Sequence, residues 1–144
     1  MQKRVLILCT GNSCRSQMAE LIWRDIGGEK WQTYSAGSDP TGYVHPRAID
    51  VLNELGLETA GLKSKSLAQF CVTQIDLVVS VCDNAKESCP AFVGEDSEHL
   101  HWPFEDPAHF EGSDDQVLQK FREVRDQIKE KISHYLQSTS AESA

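Results

Sequence analysis

The chain has 144 residues, 40% of them hydrophobic and 25% charged, which suits one domain with a single core and leaves no room for a second. Its 14 Lys and Arg against 22 Asp and Glu give a formal net charge of −8 and no basic stripe, which argues against nucleic acid or anionic lipid as a partner. No apolar run approaches the roughly 18 residues of a bilayer span, and the start "MQKRVLILCTGNS" lacks the cleavage site of a secretory signal, so the expectation is a cytoplasmic protein, monomeric by default.

Met1 to Leu8 predicts a short strand whose continuous apolar run, Val5 to Leu8, suits a parallel sheet buried on both faces. Ser16 to Ile26 turns helical, with Met18, Leu21, Ile22 and Ile26 at helical spacing and Gly27-Gly28 as its stop. Trp31 to Ala36 predicts a second strand. A helix from Pro46 to Leu55 follows, with Ala48, Val51, Leu52 and Leu55 on one stripe, Pro46 in its first turn and Gly56 after its end. Ser66 to Phe70 suits a short helix, Ile75 to Val81 a strongly apolar strand and Glu98 to Trp102 a weaker one. From Asp114 to Leu136 a long helix carries Val117, Phe121, Val124, Ile128 and Ile132 on one face. Residues 137–144, "QSTSAESA", offer nothing to bury and are expected to fray. Strands alternating with helices argue for a three-layer α/β/α sandwich around a mostly parallel four-stranded sheet, a single domain over residues 1–136.

Ligands in such sheets sit beyond the carboxyl ends of the strands, where the loop Cys9 to Ser16, "CTGNSCRS", joins the first strand to the first helix. Gly11 and Asn12 tolerate positive φ, so successive N–H groups of Thr10, Gly11, Asn12, Ser13, Cys14, Arg15 and Ser16 can form an anion nest at a helix N-terminus. Arg15 adds a planar fork that matches two oxygens of a tetrahedral oxyanion. The same dipoles would stabilise Cys9 as a thiolate, well below the free value of about 8.5, and a thiolate facing a bound oxyanion is a nucleophile. The plainer alternative is a core cysteine closing a strand.

"CTGNSCRSQMAE" resembles the active-site loop of the thioredoxin-coupled arsenate reductases, which share the low-molecular-weight protein tyrosine phosphatase fold. The resemblance extends through "YSAG" at 34 to 37, "HPRAI" at 45 to 49, "DLVVSVCDNAKESCP" at 76 to 90 and "WPFEDPA" at 102 to 108. It implies that Cys9 attacks arsenate, that Arg15 clamps it, and that Asp106, of Asp106-Pro107, protonates the departing oxygen. Glu105 is the neighbouring rival for that role. The phosphatase branch shares the loop and the Asp-Pro pair but follows the latter with aromatic residues, where this chain has Ala108-His109.

Cys82 and Cys89 separate the branches further, because hydrolysis needs neither and reduction needs two electrons. Were 82 to 89 helical, the two Cα atoms would stand about 10 Å apart. A disulfide needs about 4.4 to 6.8 Å, so the pair can join only if the segment rearranges. The resemblance implies a relay in which the disulfide passes from Cys9–Cys82 to Cys82–Cys89 and then to thioredoxin, or a glutaredoxin, as donor. Two core thiols are the bland reading of the pair. Cys14 could guard Cys9 by oxidation, and Cys71 is read as a packed core thiol.

Potassium ligands are implied at Asn12, Glu20 and Ser35, although Lys63 and Lys65 put an ammonium group near where further oxygen ligands would be expected. His45, His99, His101, His109 and His134 show no metal-ligand spacing with the cysteines, and no bound cofactor is expected. Beside arsenate reduction stand two alternatives: a low-molecular-weight phosphatase, and a non-enzymatic protein that sequesters arsenite or soft metals through its thiols.

Overall fold

The computed structural model describes residues 2–70, 74–81 and 98–143. Four strands, β1 (Lys3–Cys9), β2 (Trp31–Gly37), β3 (Leu77–Ser80) and β4 (Glu98–His101), form one sheet in the order β2-β1-β3-β4. Each neighbouring pair is parallel, with Cys9 opposite Gly37 and Leu8 opposite Ser80. Val5 to Cys9 and Leu77 to Ser80 are all buried, which is why these two central strands carry continuous apolar runs.

Helices α1 (Arg15–Gly27), α2 (Pro46–Asn53) and α3 (Asp114–Ser143) alternate with the strands to make an α/β sandwich. The pleat of β2 shows both faces covered. Thr33 and Ser35 reach Arg24 and Glu20 of α1, whereas Tyr34 points the other way and meets Phe70 of a 3₁₀ turn, Leu67–Phe70, with ring centroids 5.4 Å apart. Trp23 of α1 packs at 5.1 Å from Trp31 and 6.0 Å from Trp102. Phe121, Val124, Ile128 and Ile132 of α3 complete the core as the helical spacing predicted.

Boundaries differ from expectation where local chemistry intervenes. Helix α1 begins at Arg15 and stops at Gly28, whose φ of 59° only glycine adopts freely. Helix α2 ends at Asn53 rather than Leu55, because its last turn tightens: Leu55 N–H donates to Leu52 O at 3.0 Å and Gly56 N–H to Asn53 O at 2.9 Å. Helix α3 continues past Leu136 to Ser143, since neither Gly nor Pro interrupts the run expected to fray. Cys71, Cys82 and Cys89 lie outside the described residues, and the roles read for them in the sequence therefore have no geometry here. Among the described residues no helix is long and apolar enough to cross a membrane.

Candidate active site

The loop that follows β1 is built by fixing its carbonyl groups. Asp39 N–H donates to Thr10 O (2.9 Å), Thr41 N–H to Gly11 O (3.0 Å) and His45 N–H to Ser13 O (2.8 Å), all from the segment between β2 and α2. Gln17 Nε2 donates to Asn12 O at 2.9 Å and Met18 N–H to Cys14 O at 2.9 Å. Five consecutive carbonyls are thus drawn outward. Because the peptides are planar and trans, the N–H that follows each carbonyl points the opposite way, toward the hollow of the loop.

Asn12 is the pivot. It is fully buried with φ of 50°, a conformation that asparagine tolerates better than most residues. Its Nδ2 donates to Ser16 Oγ (2.8 Å) and Ser35 Oγ (2.9 Å), and its Oδ1 accepts from Gln17 Nε2 (3.0 Å) and Lys65 N–H (2.7 Å). Ser35 Oγ in turn donates to Glu20 Oε1 at 2.8 Å. Glu20 is 4% exposed, and two cationic groups meet its carboxylate, Lys65 Nζ 3.4 Å from Oε1 and Arg24 Nη2 3.0 Å from Oε2. Lys65 Nζ also donates to Lys63 O at 2.9 Å. Asn12, Glu20 and Ser35, the residues implied as potassium ligands, thus form one hydrogen-bonded chain whose charge a lysine and an arginine already balance. An added cation does not fit that arrangement.

Cys9 is the last residue of β1 and is 3% exposed. Strand β2 comes so near the loop at this level that a Cβ on Gly37 would stand 2.5 Å from Thr10 O, so the close approach requires glycine. Helix α1 starts with no side-chain cap and no acidic residue in its first turn, which leaves its positive end to an anion. Arg15 spans the mouth. Its Nη1 donates to Phe104 O at 3.1 Å and its Nη2 lies 3.4 Å from Asp106 Oδ2, so a clamp and an acid far apart in sequence face each other. Asp106 caps the 3₁₀ turn Pro107–His109 by accepting Ala108 N–H on Oδ1 at 3.0 Å. The rival Glu105 is directed elsewhere, 3.0 Å from Lys120 Nζ of α3.

Two titratable neighbours complete the mouth. Cys14 Sγ donates to Asp106 Oδ1 at 3.6 Å, and burial, reinforced by that carboxylate, pushes the Cys14 thiol up to about 11. His45 accepts Arg47 N–H on Nδ1 at 3.1 Å and packs on Phe121, and its partial burial lowers its pKa. The structure therefore brings together Cys9, the loop from Thr10 to Ser16, and Asp106, all of which the sequence singled out. Reading the sequence alone missed Gln17, Gly37, His45 and the Phe104 carbonyl, whose roles depend on contacts between distant segments; for Gly37 the "YSAG" match was the one available signal. Among the described residues, no group of three or more His, Cys, Asp or Glu side chains is placed to hold a metal ion.

Sheet order, loop and Asp106 turn define the class, an α/β protein whose first strand ends in a cysteine followed by a loop with its carbonyls pinned outward. The chain belongs to the low molecular weight phosphotyrosine protein phosphatase family, whose model matches residues 4–144. Among its relatives is an arsenate reductase of Halalkalibacterium halodurans, 40% identical over 139 residues, covering 96% of this chain and 99% of that one. A solved arsenate reductase in its phosphate binding state superposes with a TM-score of 0.79 at 33% identity, covering 95% of this chain and 98% of that one. The thioredoxin-dependent arsenate reductase of Corynebacterium glutamicum follows at 0.78 and 25% identity, covering 98% of this chain and 63% of that one. A low molecular weight protein tyrosine phosphatase of T. tengcongensis, 24% identical with a TM-score of 0.78 over 95% of this chain and 99% of that one, shares the fold.

Proposed function

We propose that this chain is an enzyme that reduces arsenate to arsenite with electrons from reduced thioredoxin, as a cytoplasmic monomer. The observation that carries the reading is the loop beside Cys9, with five carbonyls pinned outward and Arg15 and Asp106 3.4 Å apart at its mouth. Arsenate and phosphate are both tetrahedral oxyanions, and inward N–H groups with a planar guanidinium hold either. Curated relatives that are arsenate reductases favour the former.

In the proposed sequence the Cys9 sulfur forms a bond to arsenic while an arsenic–oxygen bond breaks, and the Asp106 proton goes to the departing oxygen. Cys82 then attacks the Cys9 sulfur, the sulfur–arsenic bond breaks, and its electron pair stays with arsenic, which leaves as arsenite. A Cys9–Cys82 disulfide remains. Cys89 attacks Cys82, releasing Cys9 as a thiolate and leaving a Cys82–Cys89 disulfide for thioredoxin to reduce. Two thiols are oxidised for each arsenic(V) reduced to arsenic(III), so electrons balance.

The test supplies arsenate, thioredoxin, its reductase and NADPH, and follows NADPH loss for the intact chain and for Cys89→Ser. Arsenate-dependent oxidation by the intact chain, with Cys89→Ser arrested after one turnover as the Cys9–Cys82 disulfide, is the expected result. Hydrolysis of an aryl phosphate without arsenate-dependent oxidation would make the chain a phosphatase instead. Arsenite binding with neither activity would make it a sequestering protein.

A further inference from the structure

Asp106 divides its contacts unevenly between its two oxygens. Oδ1 accepts two donors, Ala108 N–H at 3.0 Å and the Cys14 thiol at 3.6 Å. Among the described residues, Oδ2 has two side-chain nitrogens at ion-pair range, Arg15 Nη2 at 3.4 Å and the exposed His109 Nε2 at 3.5 Å. Cys14 is held where it can do this and little else: it is 3% exposed, and its carbonyl is tied by Met18 N–H at 2.9 Å. Burial keeps the thiol protonated well past neutrality, so it acts as a donor and not as a second nucleophile.

A carboxylic acid carries its proton on one oxygen at a time. Oδ1 accepts hydrogen bonds from an N–H and an S–H, whereas among the described residues the nitrogens beside Oδ2 stand at ion-pair range, 3.4 and 3.5 Å, and make no hydrogen bond to it. Oδ2, beside the Arg15 guanidinium, is the oxygen left for the proton.

We propose that Cys14 is a positioning residue for the acid: by donating its S–H to Oδ1 it confines the transferable proton of Asp106 to Oδ2. This rests on the reading of Asp106 as the proton donor given above. In the transfer the Oδ2–H bond breaks and the proton goes to the oxygen leaving arsenic. The negative charge left on Asp106 then falls on a group whose Oδ1 already holds two donors, and hydrogen bonds to a charged acceptor are the stronger kind. The second loop cysteine thus has work to do in the reduced enzyme that is distinct from guarding Cys9 by oxidation.

The experiment measures kcat and KM for arsenate in the thioredoxin-coupled assay for Cys14→Ala and Cys14→Ser, each with Asp106 and with Asp106→Asn. Cys14→Ala lowers kcat about tenfold with KM changed by less than about twofold. Cys14→Ser recovers most of the loss, because a hydroxyl can donate to the same oxygen. In the Asp106→Asn background Cys14→Ala has no further effect, since the group it positions is gone. Equal losses in both backgrounds, a serine variant as poor as the alanine one, or an alanine variant as active as the intact chain would each overturn the proposal. Should Cys14→Ala not unfold cooperatively, Cys14→Val, which fills the site without a donor, takes its place in the two backgrounds, with the same losses expected and the same outcomes overturning the proposal. If the intact chain shows no arsenate turnover, the proposed function fails by itself, and the same variants are then compared on phenyl phosphate and p-nitrophenyl phosphate. There the loss must be larger for phenyl phosphate, whose leaving group needs the proton more, and equal losses refute the Cys14 role.

Discussion

Lys65 Nζ lies 3.4 Å from the buried Oε1 of Glu20, the same oxygen that receives the Ser35 hydroxyl at 2.8 Å. The ammonium group is thus at the root of the chain Glu20–Ser35–Asn12 that holds the loop. A resident lysine makes an added monovalent cation redundant. Turnover of the intact chain should be the same in potassium and sodium chloride at equal ionic strength. Lys65→Met leaves Glu20 with Arg24 as its balancing charge and should cost about 2 kcal/mol in urea unfolding. Potassium should then raise the stability of the variant more than that of the intact chain. A clear potassium activation of the intact chain would show that Lys65 does not fill this role.

Gly37 tests how tightly β2 and the loop are pressed together. A methyl group there would meet the Thr10 carbonyl, a backbone atom that cannot turn aside, at 2.5 Å. Gly37→Ala should destabilise the fold by about 2 kcal/mol, in the range of overpacked cores. It should also weaken inhibition by phosphate, because displacing Thr10 turns the first N–H groups of the nest. Urea unfolding and the phosphate inhibition constant measure the two effects separately.

How much of this was legible in the sequence follows from where each contact comes from. Cys9, Gly11, Asn12 and Arg15 could be read because strand, loop and helix start are contiguous, and the chemistry of an anion nest needs only local spacing. Asp106 could be assigned over Glu105 only through resemblance, since nothing local tells which of two adjacent carboxylates turns inward. The structure supplies the reason: Asp106 caps a 3₁₀ turn and Glu105 is drawn to Lys120. Gly37, His45 and Phe104 serve the site through parallel crossovers that bring β2, the start of α2 and the segment after β4 to one end of the sheet. Sequence periodicity carries no information about which loops meet there. The end of α3 lies beyond the apolar stripe for a local reason: the polar run after Leu136 has nothing to bury, but it holds neither Gly nor Pro to end a helix.

Asn12 combines a backbone demand with a side-chain one, and two variants separate them. Asn12→Gly keeps the positive φ and loses four side-chain hydrogen bonds, whereas Asn12→Ala loses those bonds and also strains the φ of 50°. Both should abolish most activity. Alanine should be the less stable of the two by about 1 kcal/mol, read as a lower urea midpoint.

His45 makes the acid side of the stability profile specific. Its ring accepts Arg47 N–H on Nδ1 and so caps α2, while the His45 backbone N–H donates to Ser13 O of the loop. Protonation fills the accepting nitrogen and removes the cap. Because partial burial lowers the folded value from 6.5, the unfolded chain takes up the proton first as pH falls. The contribution is therefore fully present above about 6.5 and is lost as pH drops through the folded value. Urea midpoints measured between about pH 7 and 5 should fall less for His45→Asn, which caps without titrating in that range, than for the intact chain.

Arg15→Lys asks whether charge or shape matters at the mouth. The guanidinium uses one nitrogen on the Phe104 carbonyl at 3.1 Å and presents another 3.4 Å from Asp106, so it is braced from the segment that also carries the acid. Lysine keeps the charge but has a single ammonium, which cannot hold the carbonyl brace and offer a planar pair of N–H groups to two oxyanion oxygens at once. If the fork is what binds the anion as it gains charge in the transition state, the kcat/KM for arsenate should fall about a hundredfold or more. Stability should change less than activity, because lysine keeps the positive charge beside Asp106. A lysine variant retaining most of its kcat/KM would mean that the backbone nest alone carries the oxyanion, with Arg15 serving chiefly to orient the Asp106 segment.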